Sequence, residues 1–498
     1  MNILVYADIQ GYQNEIAELV RAFFPGRTVK LVETMPDNFS NHCMICCQHR
    51  AFENKLEIII SIYIDNDEKI KRTVECHLEY KDNLEYRKSI KNNMKLALYD
   101  TLEEFTGTSL DWGALTGIRP TKIVHDLMDK GLDREKILDV LFQKYRVNTE
   151  KSNLLIEIAE IQRPYLSSNN EQKVAVYINI PVCATKCLYC SFPSDTIDRC
   201  GFLIDDYITA LIFELKQFSN WIEENAIIVE TVYIGGGTPT SLGISQLDRL
   251  LQSVGELIIQ RNNGLKIEYT VEGGRPDSMD REKLVLLKHH GVNRISINPQ
   301  SMNQKTLSAI GRSHTPEEVI NCFHMAREIG FECINMDVIV GLPGEDENDV
   351  EYTMEQIKKL GPDNLTVHTL AIKRASMLKD RIDEYSFPDT QTAAEMLKVC
   401  RRGAAAMGMV PYYLYRQKYM LGNMENVGYT VPGKECIYNI QIMEERQSVW
   451  AFGAGGITKI YHPEHNRIER VPNVKNIKEY IDRVDEMIER KEKARRKQ

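Results

Sequence analysis

From Lys173 onward, short apolar runs alternate with longer stretches in which apolar residues recur every three to four positions, the pattern of strands followed by amphipathic helices. Apolar strands are predicted at 174–180, 231–234, 267–271, 294–297, 334–340 and 365–370. Between the first two, Ile208, Leu211, Ile212, Leu215 and Phe218 keep one face of a helix apolar. Six β–α units in succession imply a parallel sheet, and at this length an α/β fold of the partial (β/α)6, TIM-like barrel kind. Functional residues of such a fold collect where strands end and loops begin.

Ahead of this region the pattern changes. A strand at 3–6 precedes a helix with Ile16, Leu19, Val20 and Phe23 on one face, and the alternating run at 56–64 and the segment at 72–80 read as two further strands. From 92 to 162 the pattern is helical, interrupted by LTGIRPTK at 115–122, and the polar RPYLSSNNEQK at 163–173 reads as a linker. Residues 1–165 are therefore expected to form a separate accessory α/β and helical domain, 173–400 the partial barrel, and 401–498 a segment that closes the substrate side. The chain then ends in a helix from Ile477 whose charge run reads as a solvated face.

Composition narrows the classes. With 498 residues, 43% of them hydrophobic, two or three domains with packed cores are expected. A net charge of -9 supplies no basic field for nucleic acid. No apolar run approaches about 18 residues and the opening MNILVYADIQGYQ lacks a basic n-region, so a cytoplasmic chain without a membrane span is expected. Twelve cysteines without a regular framework fit a reducing compartment.

The densest chemistry follows the first barrel strand, in VAVYINIPVCATKCLYCSFP. Pro181 ends the strand, and Cys183, Cys187 and Cys190 follow at C-x3-C-x2-C spacing. Three thiolates on one loop suit a soft metal centre: an iron–sulfur cluster, zinc or cuprous copper. A closed zinc site needs a fourth ligand, for which Cys200 is the near candidate, whereas a 4Fe–4S cluster on three cysteines leaves one iron open to a chelating molecule. Three ordinary thiols are the plain alternative, and Cys43, Cys46 and Cys47 read that way. Arg119 and Lys122 could serve anionic substrate groups, but read first as a solvated turn.

Four more motifs stand at predicted strand ends. GGGTPT at 235–240 lets backbone approach a ligand closely, and lacks the GK[ST] of a phosphate loop. Glu272, in TVEGGRP, could bind a ribose hydroxyl or an ammonium. NPQSMNQKTLSAIGR supplies Gln300 and Arg312, whose plain readings are a helix cap and a surface residue. Asp337 lies inside an apolar strand and has to face a polar site, since a buried unpaired carboxylate is costly.

With Tyr189 just before its last cysteine, the triplet resembles the signature of the radical S-adenosylmethionine (SAM) enzymes. The Y-I-N-I-P frame at Tyr177 narrows the resemblance to the oxygen-independent coproporphyrinogen III oxidase family, and GIRPTK and GGRP to its longer HemZ-type branch. The resemblance implies a 4Fe–4S cluster on Cys183, Cys187 and Cys190 whose open iron chelates SAM. It places Tyr177 and Tyr189 beside the cofactors. Gly236, Glu272, Ala371 and Ile457 would contact the first SAM, and Gly237, Thr238, Gln300, Arg312 and Asp337 a second.

The implied reaction is oxidative decarboxylation of two coproporphyrinogen III propionates to vinyl groups, giving protoporphyrinogen IX in anaerobic haem biosynthesis, with a flavodoxin- or ferredoxin-type electron donor. Tyr412, Tyr413, Tyr415 and Tyr419, read as core or pocket wall before redox relay, interleave with Arg416 and Lys418. That mix suits a macrocycle bearing carboxylates. Three positions depart from the family pattern: Asn179 replaces its histidine, Phe192 stands where the best-studied branch has another cysteine, and Glu272 to Pro276 is E-x3-P rather than E-x2-P. Two rival readings follow: a haem-handling relative without decarboxylase activity, and an RNA-modifying relative, against which the acidic charge counts.

Overall fold

Strand and helix alternate through the second half of the chain in the order that the apolar runs predict. The computed structural model describes residues 2–52, 55–77, 83–166, 172–262, 264–373, 375–418 and 420–496. It divides into two units, Met1–Ala159 and Glu160–Gln498. Among the described residues no helix is long and apolar enough to cross a membrane.

The first unit is a five-stranded sheet with helices. Strands β1 (Asn2–Ala7), β2 (Val29–Val32), β3 (His42–Phe52), β4 (Lys55–Ile64) and β5 (Asp67–His77) lie in the order β2-β1-β3-β4-β5. β1 runs parallel to β2 and β3, and β3, β4 and β5 form an antiparallel meander. Helix α1 (Gln13–Phe23) buries the predicted Ile16, Leu19, Val20 and Phe23 against α2 (Asn83–Thr106) and the sheet. Helices α3 (Thr121–Asp129), α4 (Arg134–Tyr145) and α5 (Thr149–Gln162) complete it. Residues 78–80 of the strand expected at 72–80 lie outside the described residues. Cys43, Cys46 and Cys47 sit buried as free thiols on β3, and burial pushes Cys43 and Cys46 up to about 11. Arg119 and Lys122 are partly buried rather than solvated.

The second unit is built on an eleven-stranded sheet, with a separate two-stranded ladder among the described residues. Its early elements are β6 (Lys173–Ile180), the two-residue β7 (Val182–Cys183) and β8 (Asp195–Thr196), α6 (Ile197–Cys200), α7 (Ile204–Glu224), β9 (Ile228–Gly236), α8 (Ile244–Val254), β10 (Glu268–Gly274) and α9 (Arg281–His289). Then come β11 (Arg294–Ile297), α10 (Gln304–Ala309), α11 (Pro316–Ile329), β12 (Cys333–Val340), α12 (Glu347–Leu360), β13 (Asn364–Thr369), α13 (Met377–Asp380) and α14 (Thr390–Ala406). The last are β14 (Val410–Tyr415), β15 (Asn426–Thr430), α15 (Ile437–Glu444), β16 (Ser448–Phe452), β17 (Ile457–His462), β18 (Arg467–Pro472), α16 (Ile477–Asp482) and α17 (Val484–Arg495).

The sheet order is β14-β15-β13-β12-β11-β10-β9-β6-β16-β17-β18. Six parallel strands, β6 and β9 to β13, are those expected of a partial (β/α)6 barrel. β16 adds a seventh, parallel to β6 with Val174 opposite Ser448, and antiparallel strands extend both edges.

Register explains where the chemistry lies. Tyr233 pairs with Thr270, Glu272 with Ser296, Ser296 with Asn335 and Asp337 with Thr366, so polar side chains share one face of the strands. The alternate positions, Val232, Ile234, Val271, Ile295, Ile334, Met336 and Val338, are buried apolar residues.

The charged C-terminal stretch is not the solvated face that its charge run suggests. α16 and α17 pack on α7, burying Tyr480, Met487, Lys491 and Ala494. Glu214 of α7 receives the Lys491 ammonium, the Tyr480 hydroxyl at 2.7 Å, the Gly453 N–H at 2.9 Å and the Asn473 amide at 3.0 Å. That many donors converge on Glu214 because a buried carboxylate left without hydrogen-bond partners is costly.

Candidate functional site

The cysteine loop leaves β6 at Ile180, and the β7–β8 ladder, Val182 opposite Asp195 and Cys183 opposite Thr196, ties its ends together. Within it the Cys190 N–H donates to Cys187 O at 3.1 Å, making a tight turn. The Leu188 N–H donates to Ile310 O, and Leu188 O accepts from the Leu378 N–H. Cys183 and Cys190 are partly exposed and Cys187 is buried, and all three are reduced. Cys183 Sγ lies 3.6 Å from both Thr238 Oγ1 and Ser194 Oγ. Cys187 Sγ lies 3.9 Å from Arg275 Nη1 and 3.9 Å from Arg312 Nη1. Cys200, the candidate fourth ligand, sits at the end of α6 with its thiol turned to Thr196 O. Among the described residues no three His, Cys, Asp or Glu side chains gather around a single-ion position.

The glycine loop lies directly on this one. Gly237 N–H donates to Ile180 O at 2.8 Å and Thr238 N–H to Val182 O at 2.7 Å. Gly236 has φ +111, and a Cβ there would stand 2.1 Å from Asn179 Oδ1; one on Gly237 would stand 2.4 Å from Val182 O. Only glycine allows the two loops to approach so closely. Asn179 also accepts from the Tyr177 hydroxyl at 2.9 Å and donates to Ala454 O, which ties β6 to the glycine turn after β16. Tyr177 stacks on Tyr438 and Tyr233, with ring centroids 6.0 and 6.2 Å apart.

Glu272, at the end of β10, accepts from the Tyr233 hydroxyl at 2.5 Å. Burial pushes its carboxyl up to about 7, with the Asp337 charge adding to the rise and the Tyr233 hydrogen bond opposing it. Gln300 sits in the left-handed region at φ +68, its N–H donating to Asp337 O and its carbonyl accepting from the Ile339 N–H, both at 2.9 Å. It caps no helix, since α10 starts after Asn303, and its buried Oε1 has no protein partner. Arg312 is 5% exposed, so it is not a surface residue; it donates to Asn298 O at 2.6 Å, the Tyr189 hydroxyl at 3.2 Å and Gly274 O at 3.3 Å. Asp337 accepts from the Asn335 amide at 2.7 Å and stands 3.6 Å from His368 Nε2, whose Nδ1 meets the Tyr415 hydroxyl at 3.2 Å.

The structure thus brings Cys183 to Thr238, Cys187 and Tyr189 to Arg312, Tyr177 through Asn179 to Gly236, and Gln300 to Asp337. Ala371 forms an isolated bridge with Met420, and Ile457 opens β17 at 44% exposure. Sequence reasoning passed over Arg275, Tyr233, His368 and Tyr438; for Arg275 the signal was its place in the irregular E-x3-P stretch. Arg416 is 3% exposed and donates to Asn423 O and Oδ1 at 2.9 and 2.7 Å. Tyr412 and Tyr413 are buried wall, Lys418 is exposed, and Tyr419 lies outside the described residues.

Three reduced thiols on one loop beneath two guanidiniums suit an anionic sulfur-ligated cluster. The glycine cradle and the unpartnered Gln300 Oε1 beside them suit a small polar ligand. Residues 177–357 match the Radical SAM superfamily. Over 383 residues the chain is 39% identical to the oxygen-independent coproporphyrinogen-III oxidase-like protein HemZ of Bacillus subtilis, covering 76% of each. It is 30% identical over 283 residues to the heme chaperone HemW of the same organism, covering 56% of this chain and 69% of that one. Among solved structures, coproporphyrinogen III oxidase (HemN) from Escherichia coli aligns with a TM-score of 0.52 at 23% identity, covering 66% of this chain and 73% of that one, a likeness of fold. With its 4Fe–4S cluster and SAM as cofactors, the chain belongs to the radical SAM superfamily, in the HemZ-type branch of the oxygen-independent coproporphyrinogen III oxidase family.

Proposed function

We propose that the chain oxidatively decarboxylates propionates of coproporphyrinogen III to vinyl groups, giving protoporphyrinogen IX, with electrons from a flavodoxin- or ferredoxin-type donor. The observation that supports this most is the convergence of the cysteine loop with a row of polar side chains, Glu272, Gln300, Arg312 and Asp337, at one end of a HemN-like barrel. Cys183, Cys187 and Cys190 would hold the cluster, with Gly236, Gly237 and Glu272 about SAM, and the bound pair would supply the radical chemistry that takes a hydrogen atom from a propionate β-carbon. Loss of carbon dioxide and transfer of one electron to an acceptor then leave the vinyl group.

The residues of the chain act by holding and orienting. Glu272 offers a carboxylate to the SAM ammonium, and the backbone of Gly236 and Gly237 admits the ligand because no Cβ intervenes. Arg312 fixes Tyr189 and Cys187 from one side chain, so the loop carrying the sulfur ligands is held to β11. Such positioning is the protein's share of the catalysis.

A second reading, haem handling without decarboxylation, draws on the heme chaperone HemW relatives and on Asn179 in place of the family's histidine. Anaerobic incubation of reconstituted protein with SAM, dithionite and coproporphyrinogen III separates the two. Formation of 5′-deoxyadenosine together with vinyl product is expected. Haem binding with neither product would replace the first reading with the second.

A further inference from the structure

We propose that Arg275 is a positioning residue for electron entry: its guanidinium, held against Cys187, raises the reduction potential of the cluster that the cysteine loop carries. Arg275 follows β10, directly before Pro276 in the E-x3-P stretch. It is 3% exposed, which is rare for an arginine without a set of partners built around it.

Those partners leave one nitrogen for the sulfur. Asp277 takes Nε at 3.0 Å and Nη2 at 2.7 Å, and Ser313 Oγ also takes Nη2 at 2.9 Å. Nη1 is turned the other way, to Thr185 Oγ1 at 2.5 Å and Cys187 Sγ at 3.9 Å. The fork geometry of arginine is what permits this division: one edge is locked by a carboxylate while the opposite nitrogen is aimed at a fixed point. Burial works against the Arg275 charge, and Asp277 more than offsets it, so the cation persists. Arg312, between α10 and α11, reaches the same sulfur. Cys183, by contrast, faces the hydroxyls of Thr238 and Ser194.

Reduction adds one negative charge to a group already anionic, and a fixed cation a few ångströms away in a low-dielectric site favours the more negative state. Hydrogen bonds to the cluster sulfurs act in the same direction. The competing account makes Arg275 a brace for the loop through Thr185 and nothing more.

Redox titration of the anaerobically reconstituted holoprotein, without porphyrin, distinguishes the accounts by following the reduced cluster by EPR and assaying iron and sulfide in parallel. Arg275→Gln is expected to keep its iron while the ratio of reduced to oxidised cluster at a fixed potential falls at least tenfold, a downward shift of about 59 mV for one electron. Arg275→Lys should recover part of that shift. Asp277→Asn, which keeps the guanidinium and removes its counter-charge, should move the potential upward. A loaded Arg275→Gln protein with the parental potential overturns the proposal. If Arg275→Gln loads no cluster, Asp277→Asn decides: an upward shift supports the proposal and an unchanged potential overturns it. Because no substrate is present, these outcomes are separate from those of the decarboxylation assay.

Discussion

Replacing Lys491 by methionine tests the buried pair that fastens the C-terminal helix to α7. The substitution keeps the length and apolar stem of the side chain and removes its ammonium. Glu214 is then left 1% exposed with three neutral donors, Tyr480, Asn473 and the Gly453 N–H, and no cation. Removing one partner of such a pair costs about 3–5 kcal/mol, and the three retained donors place this case near about 3 kcal/mol. At roughly 2 °C per kcal/mol, the melting temperature of the apoprotein should fall by about 6 °C. Tryptophan fluorescence is a suitable signal, because Trp221 and Trp450 line the same cavity as Lys491 and Glu214. Pairing Lys491→Met with Glu214→Gln removes the stranded charge and should return stability to within about 1 kcal/mol of the parent, as isosteric neutral replacements of buried pairs do. A single variant that melts with the parent, or a double variant no better than the single, would refute the reasoning.

Glu272 gives a pH prediction. Its folded value of about 7 lies above its ordinary 4.5, so the folded chain keeps a proton that the unfolded chain releases over that window. Its contribution to stability is present below 4.5 and lost as pH rises toward 7. Binding of the SAM cation follows the opposite slope: calorimetry on cluster-loaded protein should show affinity rising as pH passes from 6 to 8, and Glu272→Gln should flatten the profile. Gly236→Ala should cost about 2–3 kcal/mol and weaken SAM binding, because its Cβ meets Asn179, while Gly433→Ala, equally left-handed but in open space, should cost about 1 kcal/mol; chemical denaturation compares them. Cys187→Ala should abolish both the cluster and SAM cleavage, and full iron content in that variant would contradict the ligand assignment.

The six parallel strands were legible because each is a short apolar run stopped by glycine, proline or a polar residue, and the three cysteines because their spacing is unusual. β3 was missed because HCMICCQHRAF raised a question of metal binding that obscured a strand. Glu214 and Lys491 are 277 positions apart, and a pair at that separation leaves no mark in a local charge pattern. The burial of Arg416 was not legible for the converse reason: its acceptors, Asn423 and Met424, are carbonyls of a nearby loop that sequence inspection treats as featureless. Gln300 was legible as a site residue but not as a left-handed one bonded into β12.

The strand partnership of Val174 with Ser448 bears on how the protein is made. One flank of β6 stays bare until the ribosome has passed Ser448, more than 270 residues later, and a bare flank is a template for pairing with other nascent chains. The segment that leaves β6 for the cysteines acquires its backing only at that late stage. Truncation ahead of Ser448 is therefore expected to leave β6 with an open edge and the cysteine loop without its backing, and recovery of a soluble, iron-loaded protein from such a truncation would contradict this.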